Sequence, residues 1–238
     1  MSGHSHWATI KHKKAKEDAK RGKVFTKIIK EITIAAKQGG GDPAGNPRLR
    51  DLVDKAKDVN MPQENITRAI KKGTGELPGV IYESQKYEGY GPGGIAIIVE
   101  TLTDNKNRTV ANVRHIFSAK GGNLGEIGSV NWMFEKKGVI QAANGSHTED
   151  ELLEHLIDYN ASDISVGPDF IQVTCDDKDL GVIKAKLQKL GLKIEQAEIE
   201  WVAKTSMSLD SEVQTKAIEF LSALEEIDDV QNVYTNLG

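Results

Sequence analysis

Residues 138–175 read GVIQAANGSHTEDELLEHLIDYNASDISVGPDFIQVTC, and this stretch decides the fold. Its apolar residues alternate, then recur at helical spacing, then alternate twice more. We therefore predict a strand, a helix and two further strands, at 138–143, 149–159, 162–166 and 169–175. Thr148 and Glu151 have the spacing of a capping box, which is typical of a helix start.

The chain after Cys175 completes this pattern with a helix over 178–190 and a strand over 193–202. The resulting βαββαβ order predicts a four-stranded sheet with two helices on one face, which is a ferredoxin-like unit. Cys175 is in phase with Ile171 and Val173 on its strand. We interpret Cys175 as a buried small hydrophobic residue and not as a nucleophile.

Elements on both sides of this unit predict a second α/β domain. They are strands at 80–90, 94–102 and 128–135, a helix at 105–119, a helix at 210–227 and a strand at 230–235. The last helix and strand cannot bury their apolar faces alone, so they must pack on the earlier elements. We therefore predict that residues 136–204 form an inserted domain, and that 79–135 plus 205–238 form a discontinuous domain around it.

The N-terminal part predicts a helical bundle over residues 23–78. One helix ends at the glycines of 39–41, a second opens at Asn46 and Pro47, and Gly73 closes a third. Three short amphipathic helices bury their apolar stripes against one another. The predicted fold class is α+β with three domains: an N-terminal three-helix domain, then two ferredoxin-like α/β domains, one inserted into the other.

The composition excludes several classes of protein. Of the 238 residues, 38% are hydrophobic and 28% are charged, which excludes wholesale disorder. The longest apolar stretch, 95–99, is far too short for a membrane span, so we expect no membrane partner. One cysteine excludes a disulfide framework. Aromatic residues make up 5% of the chain, which argues against an extended platform for stacking nucleobases.

The net charge of −4 hides opposite charges in two parts of the chain. Residues 1–72 hold 17 Lys and Arg against 8 Asp and Glu, whereas residues 73–238 hold 14 against 27. Because residues 1–72 are basic and the rest of the chain is acidic, we predict that residues 1–72 bind a polyanionic partner. Lysine is a point charge without the planar fork of arginine, so this surface suits phosphate backbones better than base edges.

Residues 1–22 have little apolar content and many lysines, which predicts a mobile or weakly helical basic arm. A solvated charged helix face is the ordinary alternative, but such faces usually mix both signs of charge. We predict that nucleic-acid phosphates contact Lys11, Lys13, Lys14, Lys16, Lys20, Arg21, Lys23, Lys27, Lys30, Arg48 and Arg50. Further candidates are Arg68, Lys71, Lys72 and the helix start at 105–108.

Two other patterns have ordinary structural explanations. Residues 89–94 match G-x-G-x-x-G, but a strand follows instead of the helix whose N-terminus would hold a phosphate. We therefore predict a hairpin loop there. His4, His6 and His12 lack a nearby carboxylate or cysteine that would complete a metal site. We predict no metal, no cofactor and no catalytic residue.

Long motifs throughout the chain resemble the YebC family. They are MSGHSHW at 1–7, DAKRGK at 18–23, FTK at 25–27, GGGDP at 39–43, NPRLR at 46–50, YEGYGPGG at 87–94, DNKNRT at 104–109, GGNLG at 121–125 and DDVQNVY at 228–234. This family also includes the mitochondrial translational activator of cytochrome oxidase subunit one. The chain starts at the family's own start, so the resemblance implies a bacterial cytoplasmic member.

The resemblance implies a helical domain and two α/β domains, and a role in gene expression without catalysis. Bacterial members are described as probable transcriptional regulators that bind DNA, and other members act on translation. Three functions therefore stay open at this point. The function that we predict is a DNA-binding transcriptional regulator that acts through its basic arm and first helix. The alternative is a translation factor that contacts ribosomal or messenger RNA with the same surface. The third is an enzyme that uses the cleft between domains, but no local motif supports it, and we predict that the chain is not an enzyme. The oligomeric state is not predicted.

Overall fold

The structure, a computed structural model, describes residues 21–238 as a helical region followed by two antiparallel sheets. The helical region consists of α1 (Arg21–Gly39), α2 (Pro47–Asp58) and α3 (Gln63–Thr74). Its three apolar stripes meet in one core, in which Ile32, Leu49 and Ile66 are fully buried. The predicted N-terminal three-helix domain is confirmed.

Asn46 starts α2 and ties it to the end of α1. Its side-chain oxygen accepts a hydrogen bond from the Leu49 N–H at 3.1 Å, and Pro47 takes the first helical position. Its side-chain nitrogen donates to the carbonyl oxygens of Ala35 and Gly40, both at 2.9 Å. One buried side chain therefore caps two helix ends.

Gly73 lies inside α3 and does not close it, contrary to the sequence prediction. The helix ends at Gly75, whose φ of +84° favours glycine. A Cβ on Gly73 would lie 2.4 Å from the Thr33 carbonyl oxygen of α1. Gly73 is therefore required for the close approach of two helices, and the sequence pattern could not distinguish this role from that of a helix terminator.

The described residues contain eight strands and four further helices. The strands are β1 (Glu83–Tyr90), β2 (Ala96–Thr103), β3 (Asn123–Leu124), β4 (Phe134–Ala143), β5 (Ala161–Val166), β6 (Phe170–Cys175), β7 (Ile194–Ala203) and β8 (Val230–Thr235). The helices are α4 (Lys106–Ala119), α5 (Glu149–Leu156), α6 (Leu180–Lys189) and α7 (Ser211–Glu225). The chain is therefore α+β, as predicted.

The first sheet has the strand order β3-β1-β2-β8, so its last strand comes from the C-terminus. Helices α4 and α7 pack on one face, where the Phe117 and Phe220 rings meet edge to face with centroids 5.0 Å apart. The glycine-rich residues 91–95 connect β1 to β2. This confirms that the G-x-G-x-x-G match is a hairpin loop.

The second sheet has the strand order β5-β6-β4-β7, which is the ferredoxin-like order predicted from the βαββαβ pattern. Both hydrogen bonds of the Thr148–Glu151 capping box are present at the start of α5. Cys175 is fully buried in the core below α5 and α6, and burial raises its pKa to about 11. All four strands lie between β3 and β8 in the chain, and the exact domain limits stay predictions.

The strand predicted at 128–135 is wrong. A short helical turn occupies Asn131–Met133. The next strand, β4, was predicted to start at residue 138 and starts earlier, at Phe134. Val130 and Phe134 are buried where the two sheets meet, but Gly128 has a φ of +93°. The spacing of the apolar residues in 128–135 therefore reflects their burial and not an extended backbone. None of the helices within residues 21–238 has the length and apolar content needed to cross a bilayer.

Candidate nucleic-acid interface

The N-terminal half of α1 carries lysines that bind the first sheet domain. Lys23 Nζ donates to the backbone oxygen of Glu226 at 3.1 Å and pairs with the Glu226 carboxylate. Lys27 Nζ donates to the backbone oxygen of Gln231 at 3.3 Å. These two predicted phosphate contacts therefore have protein partners on the loop and strand that follow α7.

Lys30 is buried in the same contact, with 6% of its surface exposed. Its ammonium donates to the Asp229 carboxylate at 2.8 Å, to the Asp228 carbonyl at 3.0 Å and to the Leu102 carbonyl at 3.2 Å. An ammonium has three donors, and all three are used. The structure therefore corrects the prediction for Lys30, because no donor is left for a phosphate.

Asp229 is the centre of this interdomain network. One carboxylate oxygen accepts from Lys30, and the other accepts from Arg108 and from the Thr109 hydroxyl, both at 2.8 Å. Burial alone would raise the Asp229 pKa, but these hydrogen bonds lower it to about 2. Arg108 also binds Asp104 at 2.7 Å. The helix start at 105–108, a further candidate phosphate contact, therefore has its arginine bound to two carboxylates.

A second attachment joins the helical region to the inserted sheet. Lys55 of α2 forms an ion pair with Glu198 of β7. Burial acts to lower the Lys55 pKa, but the charges of Glu198 and Glu31 outweigh it and the pKa is raised. Burial raises the pKa of Glu31. Ion pairs to both sheet domains therefore hold the helical region in place.

The other end of the helical bundle is formed by the end of α1, the start of α2 and the end of α3. Asn46 joins the first two of these segments, as described above. Gly41, just after α1, packs so closely on α3 that a Cβ would lie 2.7 Å from the Thr74 side chain. With a rise of about 1.5 Å per residue, Lys37 lies about 21 Å along α1 from Lys23. This end is therefore remote from the Lys23 attachment.

Five cations are exposed at this remote end of the bundle, and we call them the distal cation set: Lys37, Arg48, Arg50, Lys71 and Lys72. The exposed carboxylates of Asp42, Asp51 and Glu76 lie on the same segments. Arg48 Nη1 donates to the Gln38 side-chain oxygen at 3.1 Å, which leaves its other donors for a ligand. Positive charge therefore exceeds negative charge at this end, on three converging segments.

The two arginines of the distal cation set occupy an electrostatically unfavourable position. Arg48 and Arg50 lie in the first turn of α2, which contains no acidic residue. A helix N-terminus carries a partial positive charge, so a cation there costs about 0.3–1 kcal/mol. A bound phosphate would offset this repulsion, because helix N-termini and guanidinium groups both bind anions.

The remaining predicted residues cannot be placed in this interface. Lys11, Lys13, Lys14, Lys16 and Lys20 lie outside the described residues. Arg21 begins α1 and connects this segment to the attached end of the bundle. The structure therefore places Arg48 and Arg50 at the distal end of the bundle, in the first turn of α2, whereas Lys23, Lys27 and Lys30 lie in the attached half of α1.

Comparison with known proteins defines the family. The family model described as "TACO1/YebC protein N-terminal domain" matches residues 5–76, and the one described as "TACO1/YebC second and third domain" matches residues 82–237. The chain belongs to the TACO1/YebC family. This confirms the resemblance found in the sequence motifs.

Several relatives of this TACO1/YebC chain are similar to it over almost their whole length. A protein of Chlorobaculum tepidum, named "Probable transcriptional regulatory protein", is 54% identical over 238 residues, which cover 100% of this chain and 95% of the relative. A protein of Desulfosudis oleivorans with the same name is 53% identical over 236 residues, covering 99% and 96%. A crystal structure of a conserved hypothetical protein from Aquifex aeolicus is 49% identical, with a TM-score of 0.89 and coverage of 98% and 97%.

Two residues that decide which cations are exposed in this TACO1/YebC chain were absent from the predicted site. Lys37, at the end of α1, was not selected, although a cation just before a glycine terminator is an ordinary helix-end signal. Asp229 was not recognised as the partner of the basic helix. Its acidic neighbour Asp228 and the local excess of acids in the C-terminal part were the available signals. Pairing across about 200 residues of chain cannot be derived from local spacing.

Proposed function

We propose that this chain is a non-enzymatic regulator of gene expression that binds nucleic acid through its N-terminal basic residues. The relatives named as transcriptional regulatory proteins favour DNA as the polymer and transcription as the step. Residues 1–72 hold 17 Lys and Arg against 8 Asp and Glu, and this excess of positive charge supports a polyanionic partner.

The observation that carries this proposal is the distal cation set. These five side chains are exposed, and two of them crowd a helix N-terminus at a cost in stability. Residues that destabilise the free protein are expected where a ligand compensates them. The lysines of the set act as point charges on phosphates, and the two arginines can each bind one phosphate with two donors.

The proposed contact is with the sugar–phosphate backbone and not with base edges. No more than five side chains of the set reach phosphates, so the logarithm of the affinity falls with the logarithm of salt concentration with a slope of about −4 to −5. Contacts from the basic arm, residues 1–22, make the slope steeper. Sequence preference then arises from DNA shape or from other parts of the chain.

The test compares the unmodified chain with three variants on promoter-length duplex DNA at several salt concentrations. The variants are a deletion of residues 1–20, a charge reversal that combines Arg48→Glu, Arg50→Glu and Lys71→Glu, and a control on the inserted domain that combines Lys178→Glu, Lys189→Glu and Lys193→Glu. We expect weaker binding and a shallower salt slope for the first two and no change for the control. All control positions are exposed lysines, so their reversal matches the change in charge without touching the proposed surface.

Unchanged affinity in both the deletion and the charge-reversal variant would refute the proposal. Co-sedimentation with ribosomes gives a second readout on the same proteins. Retention on ribosomes or transcripts without retention on DNA would replace transcription by translation as the regulated step.

A further inference from the structure

The outer face of α5 and α6, the two helices on the second sheet, exposes three large apolar side chains. Leu153 of α5 is 45% exposed, Ile157 directly after α5 is 75% exposed, and Val182 of α6 is 54% exposed. The opposite sides of both helices are packed in one core, in which Leu152 and Ile183 are fully buried. Single exposed apolar residues are common, but several on one firmly packed helix pair are typical of a contact surface.

This helix face points away from the helical region of the chain. Ala197 of β7 packs in the core below α5 and α6, whereas its neighbour Glu198 pairs with Lys55 of α2. Successive side chains of a strand point to opposite faces of the sheet. The helical region is therefore attached to the other face of the second sheet, and this attachment leaves the outer face of α5 and α6 uncovered.

A cleft lies between the end of α5 and the start of α6. It has a volume of about 360 Å³, and its walls are formed by Tyr159, Gly181, Val182, Ala185, Lys186 and Lys189. Lys186 Nζ lies 5.4 Å from the centre of the Tyr159 ring. A water molecule takes up about 30 Å³, so the cleft has room for a branched apolar side chain. Ile157 precedes Tyr159 by two residues, so a protruding side chain and a cleft are neighbours on one face.

The two helices of this face carry opposite charges. The segment 149–158, which contains α5, exposes five acids: Glu149, Asp150, Glu151, Glu154 and Asp158. Helix α6 contains no acidic residue and three lysines: Lys184, Lys186 and Lys189. An acidic helix beside a basic helix is complementary to the same pair of helices in a second copy of the chain, provided that each acidic helix meets a basic one.

Two-fold symmetry offers two ways to place one copy of this face on another. An axis that runs between the helices and parallel to them places α5 of one copy on α6 of the other, so opposite charges meet. An axis that runs across the helices places each helix on its own counterpart, so like charges meet and repel. Charge therefore selects the first arrangement. Because Tyr159 and Val182 line the same cleft, the end of α5 is level with the start of α6, and Ile157 of each copy then faces the cleft of the other.

We propose that this face is the contact between two copies of the chain, in which Ile157 of each copy enters the cleft beside Tyr159 of the other. The acids of α5 then face the lysines of α6 across the contact. The two helices are about 12 and 15 Å long and about 10 Å wide, which gives a face of about 300 Å². A stable interface buries about 800 Å² on each partner, so the dimer is weak and forms reversibly at micromolar concentrations. This inference does not rest on the proposed function, because no residue of the distal cation set takes part in the contact.

The first experiment is analytical ultracentrifugation of the full chain over a series of micromolar concentrations. We expect the mass of the unmodified chain to rise towards twice the monomer mass, because a reversible dimer forms by mass action. Ile157→Asp places a charge in the cleft and should leave the chain monomeric at every concentration. The matched control is Ile127→Asp, because Ile127 is 85% exposed on the loop between β3 and β4. This control should form the dimer as the unmodified chain does.

A second experiment tests the pairing of α5 with α6 by reversing charges. One variant combines Asp150→Lys with Glu154→Lys, and the other combines Lys186→Glu with Lys189→Glu. Each variant alone places like charges across the contact and should stay monomeric. An equal mixture of the two restores opposite charges at both ends of the contact and should form a heterodimer. A variant that has merely lost its fold cannot be rescued in this way.

Three results would overturn the inference. They are an unmodified chain that stays monomeric at the highest concentration, a dimer that survives Ile157→Asp, and a mixture of the charge-reversal variants that stays monomeric. In the first case a different protein is the occupant of this face. Far-ultraviolet circular dichroism of each variant shows that the fold is retained. DNA binding measured far below the dissociation constant of the dimer is that of the monomer, so a loss there counts against the proposed function and not against this contact.

Discussion

The two ends of α1 carry the same residue type in opposite surroundings. In the attached half, Lys30 at the middle of the helix is 6% exposed and donates to three protein oxygens. At the C-terminal end, Lys37 is exposed and belongs to the distal cation set. The lysines of α1 therefore fall into two groups: those such as Lys30 that attach the helix to another domain, and Lys37, which stays exposed to solvent.

Desolvation explains why the two ends differ in what they do for the protein. Removing an ammonium from water is costly, and the Lys30 contact persists because a carboxylate and two carbonyls replace the water. Lys37 keeps its hydration and so adds little to folding. The same hydration leaves it available to exchange water and counterions for a phosphate. Structural and binding roles are thus alternatives for a lysine, and burial decides between them.

The largest expected effect comes from breaking the attached end. Lys30→Met leaves the buried Asp229 with only one of its two cations, Arg108, so we expect the free energy of unfolding to fall by about 3 kcal/mol. Urea unfolding followed by circular dichroism measures this change. Lys37→Met is the control, and its effect should stay within about 0.5 kcal/mol. Equal losses in the two variants would show that the two ends of α1 do not differ in the way described here.

The sequence predicted the elements well wherever local chemistry decides the outcome. The capping box at Thr148 and the βαββαβ order both depend on neighbouring residues, and both are confirmed. Gly73 was misinterpreted because its close approach to Thr33 depends on a distant helix. Residues 128–135 were misinterpreted because burial at a sheet–sheet contact imitates the spacing of a strand.

The candidate site was less predictable than the fold, for the same physical reason. Exposed Arg48 and Arg50 were selected from charge alone, and the structure leaves them exposed. Lys30 was selected by the same rule and is buried, because its partner Asp229 lies about 200 residues away in the chain. Charge patterns indicate which residues are cations, whereas only tertiary contacts show which cations are free.

A pH titration gives the next largest effect and tests the attached end directly. The Asp229 pKa is about 2 in the folded protein and has an ordinary value of 3.8. A lowered carboxyl pKa adds stability that is fully present above the ordinary value and is lost as the pH falls through the folded value. We therefore expect about 2 kcal/mol of unfolding free energy to disappear between about pH 4 and pH 2.

Other carboxylates also titrate in this range, so the comparison must use variants. Asp229→Asn should be less stable than the unmodified chain at neutral pH, and the difference should shrink towards pH 2 as the unmodified chain loses its Asp229 contribution. Asp228→Asn is the matched control, since the Asp228 side chain is exposed. A difference between Asp229→Asn and the unmodified chain that does not change with pH would contradict the assigned network.

The smallest expected effect concerns the free end and needs salt dependence to detect it. Lys71→Gln combined with Lys72→Gln removes two exposed cations near Gly75, where α3 ends. Each lost phosphate contact makes the slope of log affinity against log salt shallower by about 1, so the pair should change it by about 2. Stability should be almost unchanged, because exposed lysines add little to folding.

The decisive comparison is with Lys23→Gln, which removes one cation from the attached end. Lys23 already binds Glu226, so this variant should leave the slope as it is. A slope that changes by about 1 in Lys23→Gln would mean that phosphate competes successfully with Glu226, and that the two ends of α1 form one continuous binding surface after all.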